Sequence, residues 1–242
     1  MCLIALAYKA HPRYPLVLAA NRDEFHERPT TPAQWWDGAP HLLAGRDLRA
    51  GGTWMGITRA GRFAALTNHR DLRRPLKQGP SRGLLVRDAL EGALDVAGTA
   101  AYEGFNLLHG TVDALRYHNN VQPADAPLAP GVHGLSNAFL DTPWPKVQRA
   151  RAGMEQLLDA ADTALIDGLF ALLRDEVPAP DAQLPGTGLP RELERAVSPI
   201  FIRTNGYGTR CSTVLLVDTE GQVYFDERIV GGGRVVEGFA LR

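Results

Sequence analysis

The residue with the most distinctive chemistry is Cys2. It follows the initiator methionine, and a small second residue permits removal of that methionine. Cys2 would then open the mature chain with its thiol and a free α-amine on one residue. An α-amine titrates near ~7.7–8.0 and a thiol near ~8.5, so the amine can act as base for its own nucleophile at neutral pH. The plainer role for such a residue is a small hydrophobe at the start of a strand.

A second cluster, Asn21-Arg22-Asp23-Glu24, gains meaning from the elements that carry it. The apolar runs Leu3–Ala7 and Leu16–Ala20 are separated by His11-Pro12-Arg13-Tyr14-Pro15, a turn signal. Both runs are continuous rather than alternating, so they predict strands covered on both faces and joined as a buried hairpin. If the turn centres on Pro12, Cys2 lies opposite Arg22; a shift of one puts it opposite Asn21 or Asp23. Four polar residues at the end of a buried strand are costly unless paired or functional. A neighbouring Arg lowers a thiol pKa, and a carboxylate can orient an α-amine. The alternative is a strand end emerging into solvent at Asp23 and Glu24.

The rest of the chain reads as an α+β pattern. Glu27–Ala50, rich in Pro, Trp and Gly, reads as a long loop in which Trp35-Trp36 pack as an anchor. Trp54–Thr58 and Arg62–Thr67 form a second hairpin around Ala60-Gly61. Ser81 can cap a helix from Arg82 to Ala97 stopped by Gly98. Phe105–His109 and Ala114–His118 are strands. Helices are predicted from Pro145 to Leu158 and from Ala164 to Arg174. Val177–Leu189 is the most linker-like segment. Ile200–Arg203, Ser212–Val217, Val223–Asp226 and Val235–Leu241 close the chain as strands, with Gly231-Gly232-Gly233 as a turn.

Composition excludes several classes. The chain has 242 residues, with 26 Lys+Arg against 27 Asp+Glu and a net charge of −1. No basic footprint supports nucleic-acid binding or a polybasic membrane anchor. Apolar residues are 45% and charged residues 22%, a globular balance. No apolar run is long enough to span a bilayer, and the N-terminus lacks the basic region of a signal peptide. Two cysteines, Cys2 and Cys211, are too few for a disulfide scaffold, so a reducing, cytoplasmic setting is expected, with Cys211 an inert core thiol. The seven histidines form no helical pair, so no metal site is expected.

The residues Asn21-Arg22-Asp23-Glu24, preceded by Ala19-Ala20 and by Cys2 twenty residues earlier, resemble the signature of the NRDE family, which includes the eukaryotic Transport and Golgi organisation proteins. The resemblance covers the whole chain as a single domain, residues 1–242. Matching stretches include Ala44-Gly45-Arg46-Asp47, Gly51-Gly52-Thr53-Trp54, Thr67-Asn68-His69-Arg70, Ser81-Arg82-Gly83, Gly104-Phe105-Asn106, Gly134-Leu135-Ser136-Asn137, Trp144-Pro145-Lys146-Val147 and Tyr207-Gly208-Thr209-Arg210-Cys211. That family is in turn similar to N-terminal-nucleophile hydrolases. The resemblance therefore implies a four-layer αββα sandwich with antiparallel sheets, and an amidohydrolase that cleaves a non-peptide C–N amide through Cys2 after loss of Met1, with no cofactor. It assigns Arg22 and Asp23 to tuning and orienting the thiol, Asn68 or Asn137 to the oxyanion, and Arg210 to the thiol's vicinity. With Arg22 and Arg210 both near it, the thiol is expected to titrate below its ordinary value.

In the related amidases the Arg and Asp are separated, whereas Arg22 and Asp23 are adjacent. Adjacent strand residues point to opposite faces, so without a bulge only one side chain faces Cys2. Eukaryotic members of the family are linked to Golgi organisation, mitochondrial lipid metabolism and haem trafficking. The competing expectation is thus a non-catalytic carrier of haem or an acyl lipid as cargo, with Cys2, His69 or His133 as iron ligand. A third is an interaction scaffold. The ligand is a small amide or an apolar molecule in the first two cases.

Overall fold

The structure, a computed structural model, describes residues 2–242. Expectations about Met1, including its removal, fall outside the described residues. The two opening runs form β1 (Cys2–Tyr8) and β2 (Leu16–Phe25), paired antiparallel with Cys2 opposite Arg22. That is the register the turn at Pro12 predicts. The chain continues through β3 (Thr30–Trp36), β4 (Ala39–Asp47), β5 (Met55–Thr58), β6 (Arg62–Asn68) and α1 (Gly83–Glu91). There follow β7 (Phe105–Thr111), β8 (Ala114–Asn119), β9 (Ala124–Pro127) and β10 (Gly131–Leu135). The last elements are α2 (Pro145–Leu157), α3 (Asp162–Leu173), α4 (Arg191–Ala196), β11 (Tyr207–Val217), β12 (Gln222–Ile229) and β13 (Arg234–Ala240).

Two antiparallel sheets result, one of order β10-β1-β2-β11-β12-β13, the other running β3 through β9 in sequence. Three apolar cores define the layers. Ile4, Leu6, Leu16, Leu18 and Leu215 of the first sheet meet Leu43, Ile57, Phe63 and Leu108 of the second. On its other face the first sheet sends Leu3, Ala5, Val17 and Val214 against Val147 and Met154 of α2 and Leu169 and Phe170 of α3. The second sheet sends Leu42, Ala64 and Leu107 against Leu85, Val86 and Leu90 of α1. The order is α, β, β, α, and the fold is the expected sandwich. The continuous apolar runs are explained by it, because both faces of β1, β2 and β11 are buried.

Several elements differ from expectation. Glu27–Ala50 is not a loop but holds the hairpin of β3 and β4. Its pairing shifts between Thr31 and Gln34 and again between Trp35 and Trp36, which breaks the alternation that would reveal a strand. Pro32 is tolerated because β3 is an edge strand. The tryptophans do anchor this segment: Trp36 Nε1 donates to Ala44 O, and Trp35 packs edge-to-face with Phe239. Helix α1 stops at Glu91 rather than Ala97, since Gly92 takes the left-handed conformation (φ 75°) and caps it. Its cap residue is Arg82, not Ser81. Ile200–Arg203 makes only the isolated bridge Arg203–Gly208 instead of a strand. The short elements β9, β10 and α4 carry too few residues to show a period.

Candidate active site

Strand alternation sorts the four polar residues of β2 onto two faces. Asn21 faces the helices. Its Nδ2 donates to Leu173 O (2.8 Å) and Ile200 O (2.9 Å), and its Oδ1 accepts from Ser212 Oγ (2.6 Å). It ties the end of α3 to the sheet by taking a carbonyl the helix leaves unpaired. Asp23 faces the same way and accepts from Thr209 Oγ1 at 2.7 Å. Arg22 and Glu24 face the other sheet, as does Cys2.

Cys2 is half-buried and opens on a cavity of about 110 Å³. The cavity is lined from both sheets by Arg22, Glu24, Arg28, Asp47, Trp54, Asn68 and Arg82. The Arg22 guanidinium stacks 4.2 Å from the Trp54 ring, and its Nη2 lies 4.0 Å from Glu24. Arg22 is 6% exposed, and its Nη1 is buried with no hydrogen-bond partner. Arg28 pairs with Asp47 and lies 3.9 Å from Glu24. Two glycines allow these elements to approach. A Cβ on Gly45 would stand 2.1 Å from the Trp54 ring, and one on Gly52 would stand 2.3 Å from the Gly83 carbonyl carbon.

The adjacency of Arg22 and Asp23 is accommodated in two ways. The Asp23 side chain turns away from Cys2, but its backbone N–H is directed at the Cys2 sulfur. A bulge does occur, in β11 rather than β2: Thr209 pairs with Asp23 and Cys211 with Arg22, leaving Arg210 as the extra residue. The bulge aims Arg210 outward, where its Nη1 donates to Phe25 O (2.7 Å) and Arg28 O (3.3 Å). Arg210 lines a separate cavity behind Arg22, with Thr31, Cys211 and Glu227. The structure therefore groups Cys2 with Arg22, Asp23 and Asn68, and sets Arg210 apart from the thiol.

Asn137 lies beside the cavity, fully buried, and is committed to backbone: its Nδ2 donates to Asn68 O at 2.8 Å. Ser136 Oγ donates to Cys2 O at 3.1 Å. Thr67 Oγ1 donates to Ser136 O, and Asn106 Nδ2 donates to Ala138 O. These bonds fasten the segment after β10 to the second sheet and hold the backbone of Asn68, at the end of β6, at the cavity wall.

The electrostatics correct one expectation. Burial pushes the Cys2 thiol above its ordinary value and the Asp23 carboxylate adds to that, while the terminal ammonium, the Asp23 backbone N–H and Arg22 oppose it only in part. Arg210 is not among the groups that act on the thiol, and burial outweighs the cations that do. Burial and then Glu227 push Cys211 well up, and its S–H donates to Glu227 Oε2 at 3.3 Å, as suits a core thiol. Of the histidines considered as iron ligands, His133 has both ring nitrogens engaged, by Asp141 (2.7 Å) and Ala129 O (2.8 Å). His69 packs on Phe139, at 4.9 Å between ring centroids.

Reasoning from single residues did not single out Trp54, Arg82, Asp47 or Lys146. The signal was present in the stretches that carry the family resemblance, since Arg46-Asp47, Gly52-Thr53-Trp54, Thr67-Asn68 and Arg82-Gly83, far apart in sequence, converge on this one cavity.

Comparison with known proteins agrees in scope. Residues 1–231 match the Transport and Golgi organisation 2 family, and the chain belongs to it. It is 36% identical to the Transport and Golgi organization protein 2 homolog of Bos taurus, covering 96% of this chain and 94% of that one. Identity to the Homo sapiens homolog is 35%, over 94% and 92% of the two chains. Among solved structures, the C2A mutant of conjugated bile acid hydrolase from Clostridium perfringens aligns over 100% of this chain and 92% of that chain, with a TM-score of 0.49 and 9% identity. Among the described residues, no helix is long and apolar enough to cross a membrane.

Proposed function

We propose that the protein is an N-terminal-nucleophile amidohydrolase acting on a small, non-peptide C–N amide through Cys2 after removal of Met1. The observation that carries this reading is the thiol at the mouth of a polar cavity, with the Asp23 amide aimed at its sulfur and a buried Arg22 nitrogen left to meet a substrate oxygen. In the first half-reaction the sulfur attacks the amide carbonyl, and its proton passes to the α-amine of Cys2 and on to the leaving nitrogen. Asn68 is the candidate donor to the oxyanion, since it lines the cavity while Asn137 is bound to backbone. The C–N bond breaks, the amine departs and a thioester remains on Cys2. Water then hydrolyses the thioester, returning the thiol and releasing the carboxylic acid. The buried thiol's raised pKa makes a base obligatory, which is the part the free amine plays.

The test is acid-quenched mass spectrometry after incubation with a panel of N-acyl amides. The expected result is a chain lacking Met1 that carries one acyl group on Cys2, absent in Cys2→Ser. A chain that keeps Met1, or one never acylated, would sink the hydrolase and leave the carrier of haem or an acyl lipid as the alternative.

A further inference from the structure

Three arginines, Arg22, Arg28 and Arg82, line the cavity beside Cys2, against two carboxylates, Glu24 and Asp47, on that face of the sheet. The Asp23 carboxylate is bound by Thr209 on the other face. Asp47 is committed: Arg28 holds its Oδ2 through Nη2 (2.5 Å) and Nε (3.2 Å), and the Arg49 N–H holds its Oδ1 (3.0 Å). Glu24 lies between Arg22 (4.0 Å) and Arg28 (3.9 Å), and its other oxygen accepts from Phe25 N.

Arg82 is left over. Among the described residues, no carboxylate comes within 4.0 Å of it. Its half-buried guanidinium makes one hydrogen bond, from Nη1 to Gly104 O at 2.9 Å. That bond fixes the fork, while Nε and Nη2 have no protein partner and are not sealed from solvent. Burial disfavours the charge they carry. A cation that is partly desolvated, oriented and unpaired is suited to bind an anion.

The backbone that carries Arg82 adds to its field. Arg82 is the cap residue of α1, and Ser81 and Gly83 line the cavity with it. The first turn of α1 holds no acid. The positive end of the helix dipole is therefore not neutralised from within, and the Gly83 N–H has no intrahelical acceptor. The helix can start this close to the cavity because Gly52 has no side chain: a Cβ there would stand 2.3 Å from the Gly83 carbonyl carbon, and Thr53 N donates to Gly83 O at 3.1 Å. Arg22, 6% exposed with Nη1 unpaired, supplies a further donor from the first sheet. The cavity, about 110 Å³, is well below the roughly 300–1,000 Å³ of pockets that enclose a drug-sized ligand. It accepts a small polar fragment and leaves the rest of a substrate outside.

We propose that the amide cleaved at Cys2 carries a carboxylate within a few atoms of the C–N bond, and that Arg82 and the N-terminus of α1 bind it. The inference deepens the amidohydrolase reading and rests on it for the amide, though not for the anion. Arg82 then separates acidic from neutral amides, and the carboxylate it holds fixes the carbonyl against the thiol.

The experiment is titration calorimetry on Cys2→Ala, which binds without turnover. Hexanoylglycine puts the carboxylate on the amine half of the amide, and N-hexylsuccinamic acid puts it on the acyl half. Hexanoylglycinamide and N-hexylsuccinamide are their neutral counterparts. At least one acid should bind about tenfold tighter than its counterpart, the worth of one charge-assisted hydrogen bond. The tighter acid shows which half carries the anion. Arg82→Gln in the same background keeps an N–H for Gly104 O and removes the charge. It should bring the acid-to-neutral ratio to about one and leave the neutral affinity unchanged, whereas loss of a purely structural arginine would not change the ratio. Acids that bind no better than their counterparts, or a preference that survives Arg82→Gln, overturn the proposal.

Should Arg82→Gln fail to fold, Ser81→Asp takes its place. An acid at the start of α1 favours the helix, and in the cavity it occupies the cation that a substrate would need. Ser81→Asp should abolish the preference for acids, and an undiminished preference overturns the proposal. Binding is read without chemistry, so the two readings fail separately. An acid preference stands even where Cys2 is never acylated, and acylation by neutral amides alone keeps the hydrolase while removing the anion site.

Discussion

Cys2 and Cys211 lie in one row of the first sheet, each directly opposite Arg22 from its own side. Two strand spacings separate their Cα atoms by about 10 Å, beyond the roughly 7 Å limit for a disulfide. Oxidation with diamide should therefore give no intramolecular bridge, and only Cys2 should form mixed disulfides with added glutathione. Peptide mapping of the oxidised protein checks this; a Cys2–Cys211 linked peptide from folded protein would contradict the register.

Asn137 and Asn68 should separate stability from chemistry. Asn137→Ala leaves the Asn68 carbonyl without its donor and is expected to cost about 1–3 kcal/mol in urea unfolding. Asn68→Ala, at the cavity wall, should change stability little and reduce kcat by about 10²–10³ if Asn68 meets the oxyanion. Unchanged turnover in Asn68→Ala would pass that role to another donor.

His133 should make stability depend on pH. Its bond to Asp141, with Asp141 also accepting from Gly134 N, pins the turn that leads from β10 to α2. The bond to Asp141 raises the His133 pKa above its ordinary value. A raised folded pKa gives stability that is complete below about 6.5, the unfolded value, and fades as pH rises through the folded value. His133→Phe should cost about 1 kcal/mol at pH 6 and less at pH 9. Urea midpoints at the two pH values measure the difference, and an equal cost at both would show that the ion pair contributes nothing.

Gly45 holds the Arg22 stack in place. A methyl at Gly45 would meet the Trp54 ring at 2.1 Å, so Gly45→Ala is expected to destabilise by about 1–3 kcal/mol. Trp54→Leu combined with Gly45→Ala should recover part of that loss, a coupling that thermal melts of the two single variants and the double variant would expose. Additive effects would mean that the clash is relieved by a shift of β4.

The sequence by itself determined the hairpin of β1 and β2, its register at Cys2 and Arg22, and the double burial of its strands. Those follow from local rules: continuous apolar runs, a turn of fixed centre and the two-residue period of a strand. It also determined that Arg22 and Asp23 face opposite ways. Tertiary structure decided what each face meets. The bulge at Arg210 depends on how β11 pairs with β2, about 185 residues away in sequence, and no local pattern in Tyr207–Cys211 announces it. The direction of the Cys2 shift depends on how much water the second sheet excludes, a property of the assembled layers rather than of neighbouring charges. Lys146 reads in sequence as an ordinary residue at a helix start; only the packing of α2 and α4 on the first sheet buries it, with its Nζ on Val197 O.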